Sequence, residues 1–207
     1  MFEWKIENTP ALIPGLFEAV NRANEVASIF AGRSLSVGRN GVVGLVPLSF
    51  GELNAYYTPI DKDLHFGAHR FTDSDGNLRL YMMAGDPDVV FHEYGHAVHH
   101  ARKPNEKGFL SKVDGYGTWG ESFGDQLAMW GQLQNDEYVD ALIKSYVGKP
   151  SFDLKQSNML SMLSEGLVPV IGEPIRDAVN TARLDELSGQ VHDSSSALTG
   201  AVYNVFV

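Results

Sequence analysis

The chain has no cysteine, no apolar run approaching the roughly 20 residues of a membrane span, and a shortage of positive charge. Without cysteine there are no disulfides and no thiolate ligands, so any metal site must be built from His, Asp and Glu. The 16 Lys and Arg stand against 26 Asp and Glu, a formal net charge of −10. That balance argues against nucleic acid and anionic membranes as partners and favours neutral or basic ones. The opening Met1-Phe2-Glu3-Trp4-Lys5 has no basic segment followed by an apolar stretch, so no signal peptide is visible. This fits a cytoplasmic protein or one whose leader has been trimmed. What is present is enough for a core: 207 residues at 43% hydrophobic content suit one domain, or two small lobes sharing one cleft.

The most informative stretch is His92-Glu93-Tyr94-Gly95-His96, an HExxH pattern. On a helix, positions i and i+4 lie one above the other, so both imidazoles can reach one metal ion at about 2.0–2.1 Å. Glu93, rotated by about 100°, faces a water beside the metal rather than the metal itself. Three fixed residues recur by chance about once per 8,000 positions, so the context has to decide. Asp86 is a good N-cap, Pro87 suits the first helical position, and Asp88 adds negative charge to the first turn. Lys103 and Pro104 supply a cationic end and a stop. The motif therefore falls in the middle of a helix over 87–102.

The rest of the chain divides in two. From about Ala11 to Arg33 the apolar spacing is helical. Val42 to Val46, Glu52 to Tyr57, Asp63 to Phe66 and Asn77 to Met82 read as strands, being short, rich in branched and aromatic residues, and bounded by turn formers. Asp73 to Asn77 is the expected hairpin turn; its acidic spacing faintly suggests a calcium loop but lacks the twelve-residue ligand pattern. From Pro87 onward helices are expected over 87–102, about 119–134, 136–147, 153–165, 173–184 and 195–206. The fold class is α+β, with an N-terminal α/β lobe over 1–86, a mainly helical lobe over 87–207 and a cleft between them.

A catalytic zinc typically has three protein ligands. Glu121 is the best candidate for the third, 24 residues beyond His96 at the start of the next helix. Thr118 and Glu121 also fit a capping box, in which the glutamate merely bonds back to the N-cap amide. Asp125 favours the ligand reading, because at i+4 from Glu121 it can hold the other nitrogen of a metal-bound histidine. His99 and His100, near the helix end, read as non-ligands. His65 and His69 share i+4 spacing, but Gly67 and strand-like surroundings make a helix there unfavourable.

HExxH followed by Gly120-Glu121-Ser122-Phe123-Gly124-Asp125 resembles the glutamate-zincin metallopeptidases, the family of thermolysin and fungalysin. The resemblance implies that His92, His96 and Glu121 bind one zinc per chain, with Asp125 behind them. Asn54-Ala55-Tyr56-Tyr57 resembles the family's edge strand, in which Asn54 and Ala55 would bind an extended substrate. Glu173 to Asp177 resembles the segment whose arginine, here Arg176, bonds a substrate carbonyl. Val191-His192 and Ser195 to Tyr203 resemble the segment carrying the oxyanion-stabilising histidine, here His192. Tyr116 stands where a second oxyanion donor is expected, at a different spacing. The match covers roughly residues 50–207 in family order and implies a zincin-like fold and a secreted protein.

There are departures. Family members are larger and carry structural calcium; Asp88 matches one calcium position, yet Gln132 stands where a further acid is expected, so calcium does not carry over cleanly. The apolar Ala201 to Val207 at the end of the chain reads as a truncated or minimal catalytic unit.

The chemistry follows from the residue types. Peptide hydrolysis needs a polarised carbonyl, an activated water, a stabilised oxyanion and a proton for the leaving amine. Zinc serves the first two needs, Glu93 moves the proton, and His192 donates to the oxyanion. Each assignment has a plainer competitor: a surface histidine, an Arg176 paired with Glu173 or Asp177, an ordinary strand-end Asn54. The expected activity is zinc endopeptidase on peptide or protein substrates. The rivals are an inactive zinc- or peptide-binding relative and an interaction module with a structural metal.

Overall fold

The computed structural model describes residues 2–4, 43–102 and 116–207. The helix expected from about Ala11 to Arg33, and the Lys103-Pro104 stop, lie outside the described residues. The chain is mixed α+β, a small sheet followed by helices. Strands β1 (Phe2–Trp4), β2 (Val43–Phe50), β3 (Ala55–Thr58), β4 (Asp63–Thr72) and β5 (Leu78–Met82) form one sheet in the order β1-β2-β4-β3, with β5 paired to β4. β2 runs parallel to β1 and β4, whereas β3 and β5 are antiparallel to β4. Val43, Leu45, Leu64 and Phe66 in the central strands are at most 1% exposed, which is why these strands are apolar runs rather than clean alternations. β4 leaves the core after Ala68 and enters a hairpin with β5. Asp73 closes its turn: Oδ1 accepts the amides of Asp75 and Asn77 at 3.0 and 2.8 Å, and Gly76 takes a φ of +83°. The other carboxylate oxygen accepts from Arg79 Nε at 2.7 Å. The carboxylate that suggested a calcium loop thus shapes the turn.

Helix α1 (Pro87–Arg102) begins as its residues dictate, with Asp86 Oδ1 accepting the Asp88 amide at 3.0 Å. Helix α2 (Tyr116–Gln132) packs along it. The two backbones meet at glycines: a Cβ on Gly95 would lie 2.7 Å from Gly124 Cα, and one on Gly124 would lie 2.8 Å from the His92 ring. Only glycine at both positions lets α2 lie close enough for its side chains to reach the HExxH face. One buried cluster joins the sheet to these helices, from Leu45, Leu64 and Phe66 to Val90, Phe91, Val98, Leu127 and Tyr203.

Two expected helices are absent. Over 153–165 the chain makes turns around Asn158, whose Oδ1 accepts the amide of Leu160 at 2.9 Å and whose Nδ2 donates to the carbonyls of Leu154 and Gln156 at 3.2 and 2.7 Å. A side chain that occupies backbone groups in this way competes with helix formation. The segment ends in β6 (Met162–Leu163), antiparallel to β7 (Arg176–Asp177), which replaces the helix expected over 173–184. Between them a short helix α4 (Val168–Ile171) stops at Gly172, with φ +91°. Helix α3 (Asp136–Lys144), capped by Asn135, ends a turn earlier than expected, and α5 (Val191–Phe206) starts four residues before the expected 195.

Candidate metal centre and its cleft

α1 and α2 bring His92, His96 and Glu121 together. His92 Nε2 lies 3.1 Å from His96 Nε2, and the Glu121 oxygens lie 3.4 Å from each of the two nitrogens. Bonds of about 2.0–2.1 Å to one tetrahedral ion put ligand atoms about 3.3–3.4 Å apart, so these three groups fit a zinc-sized ion in both chemistry and spacing. Among the described residues this is the group of His, Asp and Glu side chains that converges in this way, and it leaves out His99 and His100. Glu121 turns its carboxylate to the histidines, which is the ligand placement rather than the capping-box one.

Asp125, one turn beyond Glu121, lies with Oδ1 3.0 Å from His92 Nδ1. Holding that nitrogen fixes the ring so that Nε2 faces the site. Asp125 itself is 1% exposed and heavily bonded: Arg176 Nη1 reaches its two oxygens at 2.6 and 2.7 Å, and Thr199 Oγ1 donates to Oδ2 at 2.8 Å. Arg176 Nη2 also donates to Glu121 Oε2 at 2.9 Å. The arginine is therefore a clamp across both acids, not a partner of Glu173 or Asp177, and it comes from β7 rather than a helix. Thr199 was missed at the sequence level. Its signal was the i, i+4 spacing of Ser195 and Thr199, which puts two polar residues, both 1% exposed or less, on one face of the helix.

His192 stands at the start of α5 with its side chain 73% exposed. Its Nδ1 lies 2.9 Å from Glu121 Oε2 and 3.0 Å from Arg176 Nη2. Tyr116 opens α2, and its side chain lies outside the described ones. Among the described residues, Asn54 and Ala55 sit at an edge of the sheet, where Asn54 Oδ1 accepts the Ala55 amide at 2.9 Å. The Gly67 amide donates to the Asn54 carbonyl at 2.9 Å, which alternates the ladder so that Ala55 and Tyr57 point their main-chain groups away from β4. Asp88 is sealed elsewhere, its oxygens accepting from Gln132 Nε2 and the Ser164 amide at 2.9 Å each. These donors stand where the calcium reading would put a cation, so the side chains present do not fit calcium there.

The electrostatics follow from burial. Burial disfavours charge on His92, but the hydrogen bonds and charge of Asp125 and Glu121 outweigh it and raise its pKa to about 10. Burial and the adjacent His92 keep His96 neutral. The carboxylates around the pair thus favour positive charge at this place. Burial also pushes Glu93 up to about 7, opposed by His92 and reinforced by Glu121. Burial alone would raise Glu121, yet hydrogen bonds from His192 and His92 lower it well below the usual carboxylate range.

These groups line a cleft of about 800 Å³. Asn54 and Ala55 of β3 line it together with the metal centre, Arg176 and His192. Comparison with known proteins returns no matching family model and no matching characterised protein. The geometry of the cleft is what a functional reading has to explain. No helix among the described residues is long and apolar enough to cross a membrane.

Proposed function

We propose that the chain is a zinc-dependent endopeptidase with a zincin-like fold. The observation that carries this reading is the tetrahedral spacing of His92, His96 and Glu121 with the buried Glu93 beside them on the same helix. Zinc, when bound there, polarises a carbonyl and lowers the pKa of water from about 15.7 towards 7. Glu93 then takes the proton of the attacking water on its carboxylate and passes it to the leaving amine. Burial raises the pKa of its carboxyl, which favours its taking that proton. Asp125 holds His92 Nδ1 and Arg176 holds Asp125, so the ligand side chains are set before substrate arrives.

A peptide would lie extended along the edge of β3, pairing with the outward carbonyl of Ala55, with Asn54 beside it. His192, exposed and held with its pKa raised by Glu121, offers a donor to the developing oxyanion. The cleft has carboxylates on its floor and rim, and the chain carries a net charge of −10, so neutral and basic peptides are the expected substrates. One observation favours a second reading. Arg176 and His192 both bond Glu121, so a zinc- or peptide-binding protein without turnover would use the same contacts.

The deciding experiment is cleavage of a mixed peptide library by zinc-loaded protein, with Glu93→Gln as control. The expected result is one zinc per chain and cleavage lost in the variant. Zinc-loaded protein that cuts nothing beyond the Glu93→Gln background would sink the peptidase reading and leave the binding one.

A further inference from the structure

The hydroxyls of α5 do not all bond in the same way. Ser195 Oγ donates to the His192 carbonyl at 2.8 Å and Ser196 Oγ to the same carbonyl at 3.4 Å. These are the local bonds to residues three and four back that a helical hydroxyl ordinarily makes. Thr199 Oγ1 instead reaches across to α2 and donates to Asp125 Oδ2 at 2.8 Å, 74 residues earlier in the chain. Thr199 and Asp125 are each 1% exposed. A valine has nearly the same shape and buries no polar atom, so packing alone does not account for a hydroxyl here.

The docking of α5 does not account for it either. Gly200 lets the helix approach Asn180, whose Oδ1 a Cβ there would meet at 2.7 Å, and Asn180 Nδ2 donates to the Ser196 carbonyl at 3.2 Å. Further along, the Tyr203 hydroxyl donates to the Leu154 carbonyl at 2.9 Å. The helix thus has anchors of its own on either side of Thr199.

The bond bears on how the Asp125 carboxylate is turned. The last torsion of an aspartate is broad and roughly two-fold, so the plane of a buried carboxylate is set by its partners. Arg176 Nη1 lies 2.6 and 2.7 Å from the two oxygens. A donor nearly equidistant from both oxygens does little to stop the carboxylate turning about its own axis. His92 Nδ1, 3.0 Å from Oδ1, and Thr199, on Oδ2, are the partners that hold one oxygen each.

We propose that Thr199 is a positioning residue of the metal centre: its hydroxyl fixes the plane of the Asp125 carboxylate and, through it, the ring of the ligand His92. The effect on zinc rests on the metal-centre reading, whereas the alignment of Asp125 with His92 does not. Without the hydroxyl the carboxylate turns, the His92 ring loses its aim, and zinc is held less firmly.

The test uses the full chain with Thr199→Val and Thr199→Ser, alone and combined with Asp125→Asn, each checked for fold, with zinc affinity read by competition with a chelator. Thr199→Val keeps the shape and loses the donor; Thr199→Ser keeps the donor and loses a methyl. The first is expected to weaken zinc about tenfold, at the low end for a partner behind a metal ligand, and the second to stay within about twofold of wild type. On the Asp125→Asn background Thr199→Val should change the affinity by less than about twofold, because effects that run through one partner do not add. A second measurement needs no metal. In NMR of the metal-free protein at fixed pH, the His92 ring Nδ1 hydrogen is expected to exchange with solvent faster in Thr199→Val and at the wild-type rate in Thr199→Ser. If Thr199→Val folds poorly, Thr199→Ala against Thr199→Ser isolates the same hydroxyl. Equal affinity in all three proteins, or Thr199→Ser as the weaker variant, would assign Thr199 to packing and overturn the proposal. So would a full effect of Thr199→Val on the Asp125→Asn background. If the wild type binds no zinc, the metal-centre reading fails instead, and the ring hydrogen alone decides: faster exchange confined to Thr199→Val upholds the role of Thr199, and equal exchange overturns it.

Discussion

The two walls of the metal centre are built differently. His92, His96, Glu121 and Asp125 stand on two helices that meet backbone to backbone at Gly95 and Gly124, so their positions are set by rigid elements in the core. Arg176 comes from a two-residue strand and His192 from the first turn of a helix, where its side chain is 73% exposed. The first wall is over-determined by packing, and the second is held by the hydrogen bonds its own side chains make to the first. A site divided in this way suits firm binding of an ion on one side and adjustment of the groups on the other.

The sharpest way to break the comparison is His96→Ala. Removing a ligand from the rigid wall should leave no zinc on the chain after dialysis and abolish any cleavage, read by metal analysis and peptide assay. Next comes His192→Ala on the outer wall. The zinc content should stay at one per chain while kcat falls on the order of 10²–10³, as for loss of an oxyanion donor. A loss of zinc in this variant would mean that His192 serves Glu121 rather than substrate. Asp125→Asn should come third, weakening zinc about 10–100-fold without unfolding the chain, as measured by competition with a chelator.

The smallest effect lies beside the rigid wall, in stability rather than activity. Burial and the neighbouring Asp86 raise Asp88 to about 7, from an ordinary carboxylate value of 3.8. A group whose folded pKa lies above its unfolded one contributes stability that is complete below the unfolded value and is lost as pH rises through the folded one. Metal-free protein should therefore lose stability between about pH 4 and pH 7 through this group, and Asp88→Asn should flatten that part of the curve. Urea midpoints at pH 5 and pH 8 would show it; parallel curves for the two proteins would assign the pH dependence to other groups.

Much of the rigid wall was legible in advance because it is local. His92, His96, Glu121 and Asp125 are pairs at i and i+4, and a helix turns such spacing into a shared face whatever surrounds it. The start of α1 was legible for the same reason, since Asp86, Pro87 and Asp88 act within one turn. The strands and the Asp73 hairpin also followed from nearby residues. The outer wall was legible only in part. Arg176 and His192 were named, but Arg176 was expected in a helix and sits instead on β7, where it clamps Asp125, 51 residues earlier in the chain. The false helix over 153–165 had suitable apolar spacing, but Asn158 offered its backbone better partners than a helix does.

The sequence alone determined the two i, i+4 pairs, their helical presentation and the α+β order of elements, because each depends on residues within a turn or two of one another. Tertiary structure decided how close α2 lies to α1, which carboxylates Arg176 joins and where His192 points. Those are contacts between segments far apart in the chain, fixed by which backbones can approach and which buried charges must be neutralised. No local spacing encodes them.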